Sequence, residues 1–145
     1  MMDHEAPKTI EIPIRNSEEV IELECATIPD AQEVLNILSN EIAPMRVWLE
    51  IALEFWRQDR RGEFQRVLEE ARTKAGKDYI GHEKDMMRCL DTLAAYNVIC
   101  GKQEVDKEKQ TKFFMEATTL YTLADKVGDR ASKTCHFCIL WRDQF

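Results

Sequence analysis

The strongest constraint on the fold is a helical periodicity of apolar residues that begins near residue 30 and recurs through the rest of the chain. Breaks that contain proline or glycine separate the apolar stripes. Five or six antiparallel helices on short connections are therefore predicted, which is an all-α fold. The stripes comprise Val34, Leu35, Leu38 and Ile42; Val47, Trp48, Ile51, Ala52, Phe55 and Trp56; Phe64, Val67, Leu68 and Ala71; Met86, Leu90, Leu93, Ala94 and Tyr96; and Phe113, Phe114, Ala117, Leu120, Tyr121 and Ala124.

Local signals place the helix ends. Asp30, followed three residues later by Glu33, predicts a capped first helix, and Pro44 suits the first position of the second. The charged stretch 102–109 is either a solvated loop or the exposed start of a helix. A last helical piece is predicted from Ala131. Glycines are expected to end the other helices, at Gly62, Gly76, Gly101 and Gly128.

The first 29 residues follow a different pattern. Apolar and polar residues alternate with a period of two, which predicts two short extended pieces, and Pro13 permits only an edge strand. Residues 1–43 hold ten acids and two bases, a charge of −8, whereas residues 44–145 hold seventeen acids and eighteen bases, a charge of +1. We predict an extended acidic N-terminal arm over residues 1–29 and a helical repeat region over residues 30–145. Such an arm either docks on another surface or is solvated and partly disordered.

Composition excludes several classes of function. The net charge of −7 argues against direct nucleic-acid binding, which needs clustered Lys and Arg. No apolar run approaches the ~20 residues of a membrane span, and no signal peptide is visible. Five cysteines, an odd number without a secretory context, indicate reduced thiols in a cytosolic or nuclear protein.

No motif for catalysis, a cofactor or a metal emerges. Glycine-rich phosphate loops and the His-Glu-x-x-His zinc motif are missing, so we expect neither an enzyme nor a cofactor. Cys135 and Cys138 form one C-x-x-C pair, but a structural zinc site needs four ligands, so buried packing thiols are expected. Four arginines near the second helix end are a weak candidate for an acidic or phosphate ligand, with a solvated turn as the default: Arg57, Arg60, Arg61 and Arg66.

The helix pairs match the tetratricopeptide pattern in part. In that pattern, small residues let two helices of a repeat approach closely, and large residues fill the space between adjacent pairs. We predict one degenerate repeat at 45–75, a second with an elongated turn at 82–128, and the start of a third from about residue 131. A generic helical bundle is the alternative. The matching residues are Trp48, Ile51, Ala52 and Phe55 in the first helix, and Ala117, Tyr121 and Ala124 in the second.

Three longer strings carry a family resemblance. They are TIEIPIR at 9–15 running to EEVIEL at 18–23, HEKDMMRCLDTLAAY at 82–96, and ATTLYTLADK at 117–126. Together they resemble the N-terminus of the tetratricopeptide-repeat scaffold subunit of the polymerase-associated factor (Paf) complex. Family members are much longer, so the chain is expected to be a fragment, a short isoform or an incomplete gene model.

The resemblance implies a nuclear scaffold that holds other Paf-complex subunits, notably the one that names the complex. It implies a role in RNA polymerase II elongation and linked histone modification, with the polymerase as an indirect partner. The second helix is apolar most of the way round, so a partner is expected to cover one side. We assign partner binding to a concave repeat surface and to the arm, through Ile10, Ile12, Ile14, Arg46, Leu49, Leu53, Trp56, Arg88, Asp91 and Ala95.

Two other hypotheses stay open at this stage. One is a small helical bundle that binds a ligand or acts as an enzyme, which requires a pocket with convergent titratable groups. The other is a truncated product that folds poorly. A closed bundle would be monomeric and stable alone, whereas an uncapped repeat end would associate.

Overall fold

The structure is a computed structural model that describes residues 8–74 and 81–131. Two strands are followed by a short 3-10 turn at Cys25–Thr27, and the other described elements are α-helices. The fold is mainly α-helical and compatible with a tetratricopeptide-like architecture, which confirms the predicted fold class. The elements are β1 (Thr9–Pro13), β2 (Val20–Glu24), α1 (Ala31–Asn40), α2 (Met45–Arg57), α3 (Arg61–Thr73), α4 (Glu83–Gln103) and α5 (Lys107–Ala131).

The chain divides into two compact units, between Val67 and Leu68. This division falls inside α3. The N-terminal unit therefore contains β1, β2, α1, α2 and the first half of α3, and the C-terminal unit contains the rest. The boundary predicted between residues 29 and 30 remains a prediction, but β1 and β2 lie in the same unit as the helices that follow them.

The two predicted extended pieces form an antiparallel hairpin. Ile10 lies opposite Leu23, and Ile12 lies opposite Ile21. Directly opposite residues point to the same face, and on this face Ile10, Ile12 and Leu23 are buried. The connecting turn includes Asn16, whose φ of 61° is tolerated better by asparagine than by most residues. The alternation of apolar and polar residues in the sequence therefore corresponds to one buried and one exposed face of the hairpin.

The predicted start of α1 is confirmed. The Asp30 carboxylate accepts a hydrogen bond of 3.0 Å from the backbone N–H of Glu33, which satisfies one of the donors that a helix N-terminus leaves open. A second carboxylate acts at the same end, because Glu63 of α3 accepts from the N–H of Ala31 at 3.0 Å. Pro44 directly precedes α2, where its missing N–H costs no helical hydrogen bond.

The prediction that Gly62 breaks the second helix is wrong. The break lies earlier, at Asp59, whose φ of 61° turns the chain out of the helix. Arg60 then donates its backbone N–H to the carbonyl of Phe55 at 2.8 Å, a closure typical of helix C-termini. Gly62 lies inside α3, in open space.

Two further glycines lie within helices instead of ending them. Gly101 is in the last turn of α4, and a Cβ there would lie 2.6 Å from the ring of Phe114. Gly128 is in α5, and a Cβ there would lie 2.7 Å from the sulfur of Met87. Both glycines let α4 and α5 approach closely. The small size of glycine, and not a chain reversal, therefore explains why it occupies these two positions.

The elongated turn predicted for the second helix pair is also wrong. Only Glu104, Val105 and Asp106 separate α4 from α5, and the charged residues from Lys107 onward start α5. The extra length is helical, because the exposed first turns of α5 tolerate Lys and Glu without burying them. Of the two interpretations of stretch 102–109, the exposed helix start is therefore correct for its second half.

Burial supports the predicted stripes. The inner residues of α3 and most of those of α4 are buried, whereas Tyr96 is half-buried and Phe114 is 37% exposed. Val127 extends the α5 stripe beyond its predicted end. The stop at Gly76 and the helical piece beyond Ala131 lie outside the described residues, as does the C-x-x-C pair.

The contact between Gly101 and Phe114 gives a test of this helix packing. Gly101→Ala gains about 1 kcal/mol of helix propensity but overpacks the site by about 1–3 kcal/mol. We expect a net loss of about 1 kcal/mol in the free energy of unfolding, measured in urea. In a Phe114→Ala background the same substitution should stabilise the protein, because the ring is gone.

Gly62→Ala is the matched control. Its Cβ would meet nothing within 4 Å, so this variant should be neutral or more stable. If Gly101→Ala stabilised the protein equally in both backgrounds, the proposed close approach of α5 to Gly101 would be contradicted.

Candidate interaction surface on α2 and the N-terminal hairpin

Helix α2 uses two faces to pack. Its core face carries Trp48, Ile51, Ala52 and Phe55, all of which are fully buried. The Trp48 indole N–H donates to the carbonyl of Ala43 at 3.0 Å, so this large side chain is buried with its polar atom satisfied. These four residues are the ones that matched the first half of the repeat pattern.

The second face of α2 borders β1. Helical spacing aligns its residues along one side of α2: Arg46, Leu49, Glu50, Leu53, Glu54 and Arg57. Strand β1 contacts α2 within the same unit. The excess of apolar residues on α2, which predicted a covering partner, is therefore covered in part by the chain's own hairpin.

Two adjacent shallow grooves follow the line where β1 meets α2. Thr9 and Glu50 line both. The first groove is completed by Glu11, Pro13, Val20 and Arg46. The second is completed by Lys8, Ile10, Leu53, Glu54 and Arg57. We call these two grooves together the β1–α2 groove.

A buried carboxylate anchors the hairpin to α2. The Glu54 side chain is only 1% exposed and accepts a hydrogen bond from Lys8 Nζ at 3.1 Å. The Arg57 guanidinium donates to both of its oxygens, and Gln58 donates at 2.8 Å. Gln58 also donates to the carbonyl of Cys25 at 2.6 Å. The network therefore ties both ends of the hairpin to one turn of α2.

The donors around Glu54 explain its acidity. Its pKa is lowered to about 2, first by the hydrogen bond from Arg57, and further by those from Gln58 and Lys8, against the opposing effect of burial. A general acid near neutral pH needs the opposite shift. Glu54 is thus a structural anion that holds β1, not a proton donor.

Leu53 and Val20 are the exposed apolar residues of the β1–α2 groove, with 45% and 41% of their surfaces accessible. Arg46 is exposed at the other end of the groove and forms a surface ion pair of 3.4 Å with Glu50. Leu49, by contrast, is 4% exposed. Of the residues predicted on α2, Arg46 and Leu53 are therefore open to a partner, and Leu49 belongs to the core.

Trp56 packs on α3. Its ring centroid lies 5.0 Å from that of Phe64, and the Arg61 guanidinium lies 4.8 Å above the Trp56 ring. Trp56 is half-buried, so it joins the α2–α3 packing and does not extend the β1–α2 groove.

The arginines at this corner are engaged within the chain. Arg60 forms two hydrogen bonds with the Glu63 carboxylate, at 2.6 and 2.7 Å, and stacks on Phe55 at 4.6 Å. Arg57 binds Glu54. These positive charges therefore stabilise helix ends within the chain. This favours the interpretation as an ordinary turn over a binding site for an acidic or phosphate ligand.

Two of the three arm isoleucines assigned to partner binding are buried. Ile10 is 3% exposed and Ile12 is 0% exposed, because the inner face of the hairpin packs on the helices. Ile14 is half-buried where the strand enters the turn. We therefore correct the assignment of Ile10 and Ile12, which serve the core of the N-terminal unit.

The three residues predicted on α4 have different environments. Arg88 is exposed and forms an ion pair of 3.6 Å with Asp85. Asp91 is fully buried, and its charge adds to the effect of burial in raising the pKa of Tyr121 on α5. Ala95 is half-buried. Arg88 is the residue of this set that a partner can reach without disturbing the packing.

The buried thiols show no sign of reactivity. Burial raises the pKa of Cys89 to about 12, and burial together with Glu54 raises that of Cys25. Both thiols therefore stay protonated near neutral pH. In residues 8–74 and 81–131, no group of three His, Cys, Asp or Glu side chains could hold a metal ion. No helix in that part of the chain is long and apolar enough to cross a membrane.

Sequence reasoning missed the Glu54 network and the groove that it borders. The spacing of Glu54, Arg57 and Gln58 signals a local helix pair. The approach of Lys8, 46 residues away in the chain, has no sequence signal, because it depends on where the hairpin packs.

A mainly helical chain in which α4 and α5 pack closely is compatible with a tetratricopeptide-like all-α fold, a class of interaction folds. No protein-family model matches the chain. It is 46% identical over 128 residues to RNA polymerase-associated protein CTR9 from Caenorhabditis elegans. It is 32% identical over 121 residues to Protein CTR9 homolog from Arabidopsis thaliana.

The alignments cover 87% and 82% of this chain. The chain is therefore a homologue of the CTR9 proteins, which confirms the predicted resemblance. It spans only 11% of the length of each relative.

The Glu54 network predicts an acid-sensitive N-terminal unit. Because the folded-state pKa of Glu54 lies below its ordinary value of 4.5, its contribution is present above pH 4.5 and is lost as pH falls towards 2. Glu54→Gln should lower the free energy of unfolding at pH 7 by about 1–2 kcal/mol, between the values of exposed and buried ion pairs. The difference from the wild type should shrink between pH 4.5 and 2, measured by urea unfolding at each pH.

Glu50→Gln is the matched control, because Glu50 lies one turn away and forms only an exposed pair. Glu50→Gln should lower the free energy of unfolding by less than about 0.5 kcal/mol. An equal loss in both variants, or a Glu54→Gln effect independent of pH, would contradict the anchoring role of Glu54.

Proposed function

We propose that this chain is a protein-interaction scaffold segment of the Paf complex. In this proposal it binds other subunits of the complex, foremost the one that names it, in the nucleus. It thereby supports RNA polymerase II elongation and the histone modification linked to it.

The observation that carries the proposal is the 46% identity to a protein named for its association with RNA polymerase, over 87% of this chain. Identity at this level over most of this chain supports a shared fold and a shared surface. Because the chain spans 11% of that relative, the proposal assigns to it a share of subunit binding and not every contact of a full-length scaffold.

The β1–α2 groove is the proposed binding surface. It combines an exposed leucine, Leu53, with two charged residues of the same face of α2, Arg46 and Glu50. An apolar anchor with a charged rim is the usual anatomy of a protein interface. Arg88 on α4 is a second proposed contact.

The proposal is non-enzymatic. The pKa of Glu54 is shifted away from the range of a general acid, and those of Cys25 and Cys89 are shifted away from the range of a nucleophile. These perturbed groups are explained by packing, so they lend no support to the alternative of an enzymatic bundle.

Recovery of Paf-complex subunits from nuclear extract tests the proposal. The tagged 145-residue chain should recover them, as identified by mass spectrometry. Leu53→Glu should reduce recovery by about tenfold or more, because it places a charge at the apolar anchor. Trp56 is left unchanged, since its packing on Phe64 makes its replacement a test of folding.

Met115→Glu is the matched control. Met115 is 64% exposed on α5, so the same change in charge and polarity should leave recovery intact. If the folded wild-type chain recovers no Paf subunit, or if both variants lose them equally, the assignment to the β1–α2 groove is wrong.

A further inference from the structure

The hairpin hydrogen bonds determine which backbone groups face outward. Cys25 donates its N–H to the carbonyl of Lys8 at 3.0 Å, and Ile14 donates to the carbonyl of Glu19 at 3.0 Å. Both are directly opposite pairs in the register that joins Ile10 to Leu23. In an antiparallel ladder such bonded pairs alternate with non-bonded ones. Every second residue of each strand therefore directs its N–H and carbonyl away from the partner strand.

On β2 these outward residues are Val20, Glu22 and Glu24. Glu24 also caps the 3-10 turn at Cys25–Thr27, so its carbonyl accepts the first hydrogen bond of that turn. Within residues 8–74 and 81–131, the other outward N–H and carbonyl groups of these three residues take part in no backbone hydrogen bond outside the hairpin. All three side chains are exposed. This part of the structure thus presents three donors and two acceptors at the spacing of one strand.

The two edges of the hairpin are not equivalent. On β1, Pro13 is one of the outward residues and has no N–H to donate, and α2 lies alongside the strand. On β2, each outward residue has an N–H to donate, and the strand contains no proline. Natural edge strands are usually protected by proline, bulges or covering elements. The β1 edge has such protection, whereas in the part of the chain that the structure describes only charge protects the β2 edge.

That charge has one sign. Glu11 lies directly opposite Glu22 on the exposed face, and Glu24 lies one pair further along. Like charges directly opposite each other destabilise a strand pair. The two nearby bases each form an ion pair with a glutamate on α2, Lys8 with Glu54 and Arg46 with Glu50. The exposed face of the hairpin therefore repels a second acidic strand and attracts a basic one.

We propose that the outer edge of β2 binds an extended basic segment of a partner protein as a third strand. The inference rests on the proposed scaffold function and specifies the chemistry of one partner segment. Backbone groups at Val20, Glu22 and Glu24 supply the hydrogen bonds, as in recognition by strand addition.

The two faces of the sheet set the sequence of the bound segment. Side chains that fall beside Glu22 and Glu24 lie on the acidic face, so Lys or Arg fits there. Side chains between them fall on the face of Ile21 and Leu23, where Ile21 is only half-buried. An alternation of basic and apolar residues is therefore favoured, because successive strand residues point to opposite faces.

The test uses the purified chain and synthetic peptides of about ten residues, long enough for one strand. A capped peptide of alternating Lys and Val should bind, as measured by fluorescence anisotropy. Binding should slow amide hydrogen exchange at Val20, Glu22 and Glu24, as measured by NMR. A peptide of alternating Glu and Val should not bind.

Two matched proline substitutions distinguish binding at the β2 edge from binding at the β1 edge. Each replaces a glutamate and removes one outward N–H. Glu22→Pro removes an outward N–H from β2 and should abolish the exchange protection. Glu11→Pro, directly across the hairpin, removes an outward N–H from β1 and should leave that protection in place. If proline unfolds the hairpin, the double variant Glu22→Lys/Glu24→Lys keeps the backbone and should weaken binding by about tenfold.

Several results would overturn the proposal. One is that the acidic peptide binds as tightly as the basic one, and another is that the basic peptide binds without protecting the β2 amides from exchange. A third is that Glu11→Pro and Glu22→Pro lose that protection equally, and a fourth is that no binding is found at about 1 mM peptide. Protection without peptide, caused by self-association, would also overturn it. No Paf subunit is present in this assay, so its failure is distinguishable from a failure to recover subunits through Leu53.

Discussion

The contact of the N-terminal hairpin with the second face of α2 is the interaction on which the rest of the N-terminal unit depends. Glu54 on α2 receives Lys8 from the start of β1, while Gln58, one turn later, bonds the carbonyl of Cys25 after β2. A carboxylate buried to this degree is stable only when paired. The same contact buries Ile10 and Ile12, and it creates the β1–α2 groove. Core packing, ion pairing and the candidate binding surface therefore share one origin.

This arrangement lets one helix serve both the fold and the proposed interface. The core face of α2 holds Trp48 and Phe55 with no exposed surface, which gives a rigid support. The second face leaves Leu53 partly exposed beside β1, where a partner needs to displace little structure. Rigid support behind a small apolar anchor lowers the entropic cost of binding. The outer edge of β2, which no other strand of the described residues pairs with, adds the second proposed mode of contact, through the backbone, within the same unit.

The C-terminal unit shows a different use of small residues. Gly101 and Gly128 were predicted to end helices, and instead they let Phe114 and Met87 approach a neighbouring helix. Glycine in a sequence signals both chain reversal and close packing, and local sequence does not distinguish the two. The charged stretch after Gly101 was ambiguous for a related reason, because an exposed helix turn and a solvated loop have similar compositions.

Sequence by itself determined the helical stripes, the capped start of α1, the alternating strands, the resemblance to the Paf scaffold and the excess of apolar residues on α2. These follow from periodicity, local hydrogen bonding and long matching strings, all of which act within short stretches of chain or along its order. Only the tertiary structure decided what covers α2, because the pairing of Lys8 with Glu54 joins residues 46 positions apart. It also decided that Ile10, Ile12 and Leu49 are core while Leu53 is exposed. Burial depends on which surfaces meet, and a pattern in one segment carries no information about the segment that packs against it.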